Sequence, residues 1–468
     1  MESHTFDVII MGGGPGGYVT AIRSSQLGFK TCLVEKQHLG GICLNWGCIP
    51  TKAILRSAEI LGYMNSAANF GLKADNISFE LDKIIERSRG ISQRLNDGVE
   101  YLLKKNKVTV VKGHAKLNGP KAVEVVPNET NNVTEILKAE HIIVATGARP
   151  RILPGIEPDG KCVWSYFEAL RPDIMPRSLL VIGSGAIGIE FASFYSMLGS
   201  KVTVVEILPQ ILPAEDAEIA ECARKQFESN GISIMSESKI TALKETKNSV
   251  TVTIENSKKK LSEITVDRVI VAVGVVGNIE EIGLETTRVK SENGSIVIDS
   301  FGRTDEPGVY AIGDVAGPPW LAHKAEHEGV LCIENIAGRS TTPIDKKKIP
   351  GCTYCHPQVA SVGMTEKAAK ESGYKTRIGR FPYVGNGKAI ALGETDGLVK
   401  TVFNAETGEL LGAHMVGTEV TELIQGFTIA IGLETTEQDL IHTIFPHPTL
   451  SEMMHESVLD AYNRAIHN

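Results

Sequence analysis

Asp7-Val8-Ile9-Ile10-Met11-Gly12-Gly13-Gly14-Pro15-Gly16-Gly17 runs from apolar residues into a glycine turn, and a small-residue segment then continues to Gly28 before Thr31-Cys32-Leu33-Val34-Glu35. That order reads as strand, turn, helix, strand. Gly12, Gly14 and Gly17 satisfy G-x-G-x-x-G, and Glu35 closes the second strand 18 residues after the last glycine. The pattern suits a dinucleotide. It supplies a tight turn, close backbone approach to a pyrophosphate, a helix N-terminus aimed at it, and a carboxylate for ribose hydroxyls.

The same text recurs. Ser178-Leu179-Leu180-Val181-Ile182 leads into Gly183-Ser184-Gly185-Ala186-Ile187-Gly188, a helix, and Lys201-Val202-Thr203-Val204-Val205-Glu206. Gly183, Gly185 and Gly188 repeat the fingerprint, so two dinucleotides are expected. Glu206 accepts from a free ribose 2′-hydroxyl and repels a 2′-phosphate, which favours NAD+/NADH over the phosphorylated form.

Just beyond the first copy lies Gly40-Gly41-Ile42-Cys43-Leu44-Asn45-Trp46-Gly47-Cys48-Ile49-Pro50-Thr51-Lys52. Two cysteines so close to a dinucleotide loop suggest a reversible disulfide exchanging two electrons with a flavin, and the flavin with a nicotinamide. The runs His141 to Thr146-Gly147 and Arg268 to Gly274 read as the closing strands of the two nucleotide domains. Val309 to Asp314 is a further buried strand, whose aspartate is placed to bond the ribityl chain of a flavin.

With 468 residues the chain is too long for one core, and 42% hydrophobic with 22% charged residues is the profile of a globular protein. The net charge of −8 and the lack of a long basic tract leave no footprint for nucleic acid. No apolar run is long enough for membrane insertion, so a cytoplasmic protein or a mature organellar form is expected. Eight scattered cysteines do not make a secreted disulfide framework. Cys32, Cys162, Cys222 and Cys332 read as small buried hydrophobes, and Cys352-Thr353-Tyr354-Cys355 as structural thiols. From Ile349 onward, strands are expected at Val359–Met364, Leu398–Asn404 and Leu410–Val416, and helices around Glu419–Ile431 and Ser451–Ala465.

Gly12 to Gly17, Gly40 to Lys52, Thr146-Gly147, Gly183 to Gly188, Ala311-Ile312-Gly313-Asp314 and His447-Pro448-Thr449-Leu450-Ser451-Glu452 occur in the order of the pyridine nucleotide disulfide oxidoreductases. The chain resembles that family over nearly its whole length, and most closely its branch that oxidises dihydrolipoamide. The resemblance implies an α/β fold: two Rossmann-like FAD- and NAD-binding domains plus an α+β C-terminal dimerisation domain. The expected boundaries are 1–148 for FAD and the disulfide, 149–276 for NAD, 277–347 for a central domain completing the FAD site, and 348–468 for the interface.

By the same resemblance Cys43 is the thiol that meets the substrate and Cys48 the one facing tightly bound FAD. A helix N-terminus and a nearby imidazolium would stabilise a Cys48 thiolate. His447 is the base, oriented by Glu452, and completes the site of the other subunit of a homodimer. Lys52 would lie near the flavin and pair with Glu190, a position that also reads as a helix-surface acid. Ala115 would touch the adenine end, and Ala322 and His323 the pyrimidine edge of the ring. Gly12, Gly14, Gly17, Glu35, Thr146, Gly147 and Asp314 complete the FAD set, and Gly183, Gly185, Gly188, Glu206 and Gly274 the NAD set; no metal is expected. Implied partners are lipoyl domains and the acyltransferase core of 2-oxo acid dehydrogenase complexes, or the lipoyl carrier of glycine cleavage.

Val275-Val276-Gly277-Asn278 departs from the family by lacking an arginine and a proline after Gly274. Two other readings compete. A glutathione-reductase-like enzyme shares the cysteines and histidine but usually selects NADPH, against Glu206. A docking module without catalysis would bind no flavin.

Overall fold

The computed structural model describes residues 3–128 and 135–467. The chain forms two compact units: Met1–Ala53, Leu81–Arg151 and Gly274–Ile344 make one, and Ile54–Glu80, Ile152–Val273 and Asp345–Asn468 the other.

The first unit is built on a mostly parallel sheet in which Thr109–Lys112, Thr31–Glu35, Ser3–Met11 and Glu135–Val144 are successive neighbours. Val309–Ala311 also pairs in parallel with Glu135–Val144, and two antiparallel strands, Ala122–Val126 and His114–Leu117, extend the sheet. Val8, Ile9, Ile10, Leu33, Ile142 and Ile143 are buried, as strands covered on both faces require. Register then decides where the motifs lie. Met11 pairs with both Val34 and Val144, and Val144 with Ala311, so the Gly12 loop, the end of Glu35, Thr146 and Asp314 all leave one carboxyl edge of the sheet. Ligands of open α/β sheets bind outside that edge.

The second unit repeats the device in five parallel strands, ordered Ser233–Met235, Lys201–Val205, Ser178–Ile182, Arg268–Val271 and Val163–Trp164. Val205, Ile182 and Val271 lie in register, which brings Glu206 and Gly183 to a common edge. An antiparallel sheet of Ser238–Glu245, Val250–Asn256 and Leu261–Val266 is inserted before the closing strand.

The C-terminal part is a five-stranded antiparallel sheet in the order Gly351–Thr353, Gln358–Gly363, Leu410–Gly417, Leu398–Asn404, Thr376–Pro382. Helices Val420–Gly432 and Glu452–Ala461 cover it over a core that includes Phe381, Phe403, Met415, Phe427, Met453 and Val458. The three expected strands are present with a residue or so of difference at their ends, while the second helix ends at Ala461, short of the expected Ala465. Thr376–Pro382 and the short helix Glu437–His442 were not expected.

Lys400 ties this sheet to the N-terminus of helix Ala217–Ser229, which follows strand Lys201–Val205 of the second nucleotide-binding sheet. Only 3% exposed, its Nζ lies 2.8 Å from Asp216, 2.9 Å from Glu218 and 2.8 Å from Glu366. Burial opposes the charge on all three carboxyls, yet their hydrogen bonds to Lys400 help hold each below its ordinary range. Groups with lowered folded-state values stabilise above their unfolded pKa, so this contribution is present at neutral pH and fades as the pH falls below about 4. Lys400→Met leaves the buried Asp216 without its cation, while Glu218 keeps Arg380 and Glu366 keeps Lys370, and is expected to cost about 3 kcal/mol, read as a lower urea midpoint at pH 7.

Candidate redox and nucleotide sites

The two fingerprints are the same object in backbone detail. Gly12 has φ +109°, and a Cβ there would stand 2.3 Å from the Ala145 carbonyl oxygen; Gly183 has φ +96°, with its Cβ 2.4 Å from the Ala272 carbonyl oxygen. A Cβ on Gly17 would meet Gly12 O at 1.9 Å, and one on Gly188 would meet Gly183 O at 2.1 Å. Gly185, by contrast, has open space where a side chain would go. The first and third glycines are therefore needed by the fold, and the middle one leaves room for a ligand. Gly14 and Gly185 begin helices Pro15–Gln26 and Ala186–Met197, neither with an acid in its first turn, so each N-terminus is ready for a phosphate. Gly188→Ala is expected to abolish NADH binding while the protein keeps its flavin, measured by nucleotide titration beside the flavin spectrum.

The strand-end acids repeat as well. Glu35 Oε2 accepts the Gly13 N–H at 2.6 Å and Oε1 the Gln37 N–H at 2.6 Å. Glu206 Oε2 accepts from the N–H of Ser184 at 2.9 Å and its hydroxyl at 2.6 Å, and Oε1 accepts the Leu208 N–H at 2.9 Å. Each acid thus grips the second residue of its own glycine loop. A carboxylate has about four acceptor positions, so capacity remains for a ribose hydroxyl.

The cysteine loop abuts the first fingerprint: a Cβ on Gly41 (φ +55°) would lie 2.7 Å from Gly14 Cα. Helix Gly41–Trp46 carries Cys43, and Cys48 opens the helix Cys48–Asn65, where the macrodipole favours negative charge. Helix Leu81–Lys105 fixes the loop from outside. Asn96 donates to Asn45 Oδ1 at 2.6 Å, Arg89 donates to the Asn45 carbonyl at 2.6 Å and lies over the Trp46 ring, and Ser88 donates to the Pro50 carbonyl at 3.1 Å. Asn45 itself donates to the carbonyls of Leu39 and Gly41. The Cys43 and Cys48 side chains are in hydrogen-bond contact with each other. Cys43 is pushed well above the ordinary thiol range, first by its hydrogen bond with Cys48, then by burial and by the charges of Cys48 and Glu326, with Lys52 pulling the other way.

Thr146-Gly147 is locked by Asn278. Thr146 Oγ1 donates to the Asn278 carbonyl at 2.8 Å, Asn278 Nδ2 donates to the Thr146 carbonyl at 2.8 Å, and the Asn278 N–H reaches the Gly147 carbonyl at 2.9 Å. At the departure after Gly274, Arg149 donates to the Gly277 carbonyl at 2.8 Å and pairs with Glu280. Ala115 is buried in the strand His114–Leu117, and Ala322 and His323 open the helix Ala322–Ile336. Burial raises the Asp314 carboxyl, while Lys324 lowers it. Asn278 and Lys324 escaped the sequence reading, because nothing in their local pattern distinguishes them from surface residues.

In the second unit, His447 Nδ1 and Glu452 Oε1 are 2.9 Å apart, and Glu452 Oε2 accepts the Thr449 N–H at 2.9 Å. Burial raises the Glu452 carboxyl, but the Thr449 N–H and the His447 ring outweigh it and hold it below its ordinary value. The His447 side chain is 80% exposed in the single chain. Glu190 is buried and not a surface acid; its Oε1 accepts the Tyr354 N–H at 2.9 Å. Cys355 is directed at the Pro357 carbonyl and Cys352 at the Thr421 carbonyl. Among the described residues no group of His, Cys, Asp and Glu is arranged to hold a metal ion, and no helix is long and apolar enough to cross a membrane.

Comparison with known proteins places these sites in context. A family model described as pyridine nucleotide-disulphide oxidoreductase matches residues 6–329, and one for the dimerisation domain of such proteins matches 349–458. A dihydrolipoyl dehydrogenase of Rhizobium etli is 58% identical over 99% of each chain. One from Zymomonas mobilis is 55% identical over 100% of each. Among solved structures, LpdA from Mycobacterium tuberculosis superposes with a TM-score of 0.89 at 25% identity, covering 97% of this chain and 99% of its own.

Proposed function

Because the chain belongs to the pyridine nucleotide-disulphide oxidoreductase family, we propose that it catalyses the dihydrolipoyl dehydrogenase reaction, oxidising dihydrolipoamide to lipoamide while reducing NAD+ to NADH. The observation that carries the reading is the contact of the Cys43 helix with the first dinucleotide loop, Gly41 against Gly14. The glycine cradles fit FAD and NAD+: the middle position of the second is open at Gly185, the helix ends lack acids, and the strand-end carboxylates keep acceptor capacity. Bound FAD relays an electron pair between the cysteines and NAD+.

The chain's own residues handle the thiols. Substrate thiolate attacks Cys43 Sγ of the disulfide, the sulfur–sulfur bond breaks, and Cys48 leaves as thiolate. The second substrate thiol then attacks its own mixed-disulfide sulfur, releasing lipoamide and leaving Cys43 reduced. His447 takes the proton of the first substrate thiol, the proton of the second passes to the departing Cys43 sulfur, and Glu452 holds the His447 ring by its other nitrogen. The position of Cys48 at the start of the helix Cys48–Asn65 favours the negative charge of the reduced pair there. The nearby Lys52 charge acts on Cys43 in the opposite sense to burial and favours its thiolate.

The dimerisation domain supports a homodimer. His447 is exposed in one chain and near Ile444, whose surface is 94% exposed, so covering this surface is work for a second subunit. Lipoyl domains of 2-oxo acid dehydrogenase complexes or of glycine cleavage are the natural carriers of such a dithiol, and the cytoplasm its natural setting.

Purified protein is expected to show a flavin spectrum and to reduce NAD+ with dihydrolipoamide at least about a hundredfold more efficiently than NADP+, because the buried Glu206 carboxylate faces the ribose side. A colourless protein, inactive after flavin reconstitution, overturns the reading. Parallel assays on lipoyl domains from different complexes identify the carrier.

A further inference from the structure

The turn Gly313–Ala316 carries Asp314 away from the strand Val309–Ala311, with Gly313 at φ +72° and Gly317 at φ +94° at its two ends. Both ends are held by one pair of side chains. Lys324, on the first turn of helix Ala322–Ile336, has a fully buried side chain; its Nζ donates to the Gly313 carbonyl at 3.1 Å and the Gly317 carbonyl at 2.7 Å. Glu328, four residues on, lies 3.2 Å from that Nζ, and the same Oε2 accepts the Gly313 N–H at 2.8 Å. A buried lysine is costly unless its charge is used. Here every bond from Lys324 and Glu328 just described either reaches the Asp314 turn or joins the two residues.

We propose that Lys324 and Glu328 are positioning residues of the FAD site, a clamp that sets both the place and the charge of the carboxylate that Asp314 offers to FAD. The proposal rests on the reading of Asp314 as a flavin ligand. The clamp acts on Asp314 from both signs: Lys324 lowers its pKa and Glu328 raises it, on top of the upward push of burial. The strands Val275–Gly277 and Ser295–Ile296, which also pack against the turn, bring no charged side chain. Removing Lys324 leaves two neighbouring acids without their cation, so Asp314 holds a proton to higher pH. Its acceptor oxygen then becomes a hydroxyl, and the hold on FAD depends on pH.

The test is release of FAD from the holoprotein, followed by flavin fluorescence between about pH 4 and pH 9, for Lys324→Met, Glu328→Gln, the double variant and Asp314→Ala. Lys324→Met keeps the apolar stem, and is expected to weaken FAD retention about tenfold at pH 6, with the loss shrinking as the pH rises. Glu328→Gln keeps an oxygen for the Gly313 N–H and removes only charge, so it should extend tight retention to lower pH. The double variant should regain most of the loss. A weakening by Lys324→Met of one factor at every pH, or none, overturns the proposal. Should Lys324→Met fail to fold, Glu328→Gln decides: an unchanged pH profile overturns the clamp. Asp314→Ala separates the underlying reading, because wild-type retention in that variant removes Asp314 as a flavin ligand whatever the other variants do.

Discussion

Cys48→Ser should lower NAD+-linked oxidation of dihydrolipoamide by about a thousandfold or more, with the flavin content unchanged. The size of the effect follows from the chemistry: without the second sulfur no disulfide forms, so substrate electrons have no covalent route into the protein. Retention of flavin follows from the architecture. The loop is positioned by Asn96, Arg89 and Ser88 acting on Asn45 and Pro50, none of which uses a cysteine sulfur, and the first fingerprint is held by Gly12, Gly17 and Glu35. Stopped-flow reduction by dihydrolipoamide, read at the flavin band, gives the loss directly. Substantial reduction in the variant would remove Cys48 from the electron path.

His447→Gln is expected to cost about a hundredfold to ten-thousandfold in turnover, the range for loss of a positioned base. Glutamine keeps a hydrogen bond to Glu452 but cannot take a proton near neutral pH. The variant also tests how the sites are assembled. The cysteines lie in the first compact unit and the histidine in the second, exposed in the isolated chain. If the base serves the other subunit, an equal mixture of Cys48→Ser and His447→Gln chains, dissociated and reassociated, contains one intact site in each mixed dimer. Statistical pairing then restores about a quarter of wild-type activity. Absence of recovery in verified mixed dimers means that each chain builds its own site.

Both nucleotide-binding sheets were legible because a glycine whose Cβ would strike a carbonyl at about the distances seen for Gly12 and Gly183 leaves an unmistakable residue in the sequence. The His447–Glu452 contact was legible only through the family resemblance of the His447-Pro448-Thr449-Leu450-Ser451-Glu452 stretch; in the structure the helix start at Glu452 brings the two side chains together. Residues whose role depends on distant packing were not. Lys324 reads as a solvent-facing lysine, and only the turn folded over it reveals its carbonyl partners. Glu190 left two readings open, the partner of Lys52 and a helix-surface acid, and its burial under the Tyr354 segment removes the second. Thr376–Pro382 was missed because Gly379 and Pro382 weaken its strand pattern. The structure explains the glycine: a Cβ at Gly379 would stand 1.8 Å from the Ser457 carbonyl, so the strand can lie beneath the C-terminal helix only without one.

The bracing of the cysteine loop bears on how far the backbone moves in each redox cycle. Asn45 is bonded on its carbonyl, its amide nitrogen and its amide oxygen, Pro50 on its carbonyl, and Gly41 is pressed against Gly14. A loop held on so many sides keeps its backbone in place when the sulfur–sulfur bond opens or closes. If the two cysteines cycle between thiol and disulfide, the backbone rearrangement that accompanies each turn is expected to be small, with the movement falling mainly on the two side chains.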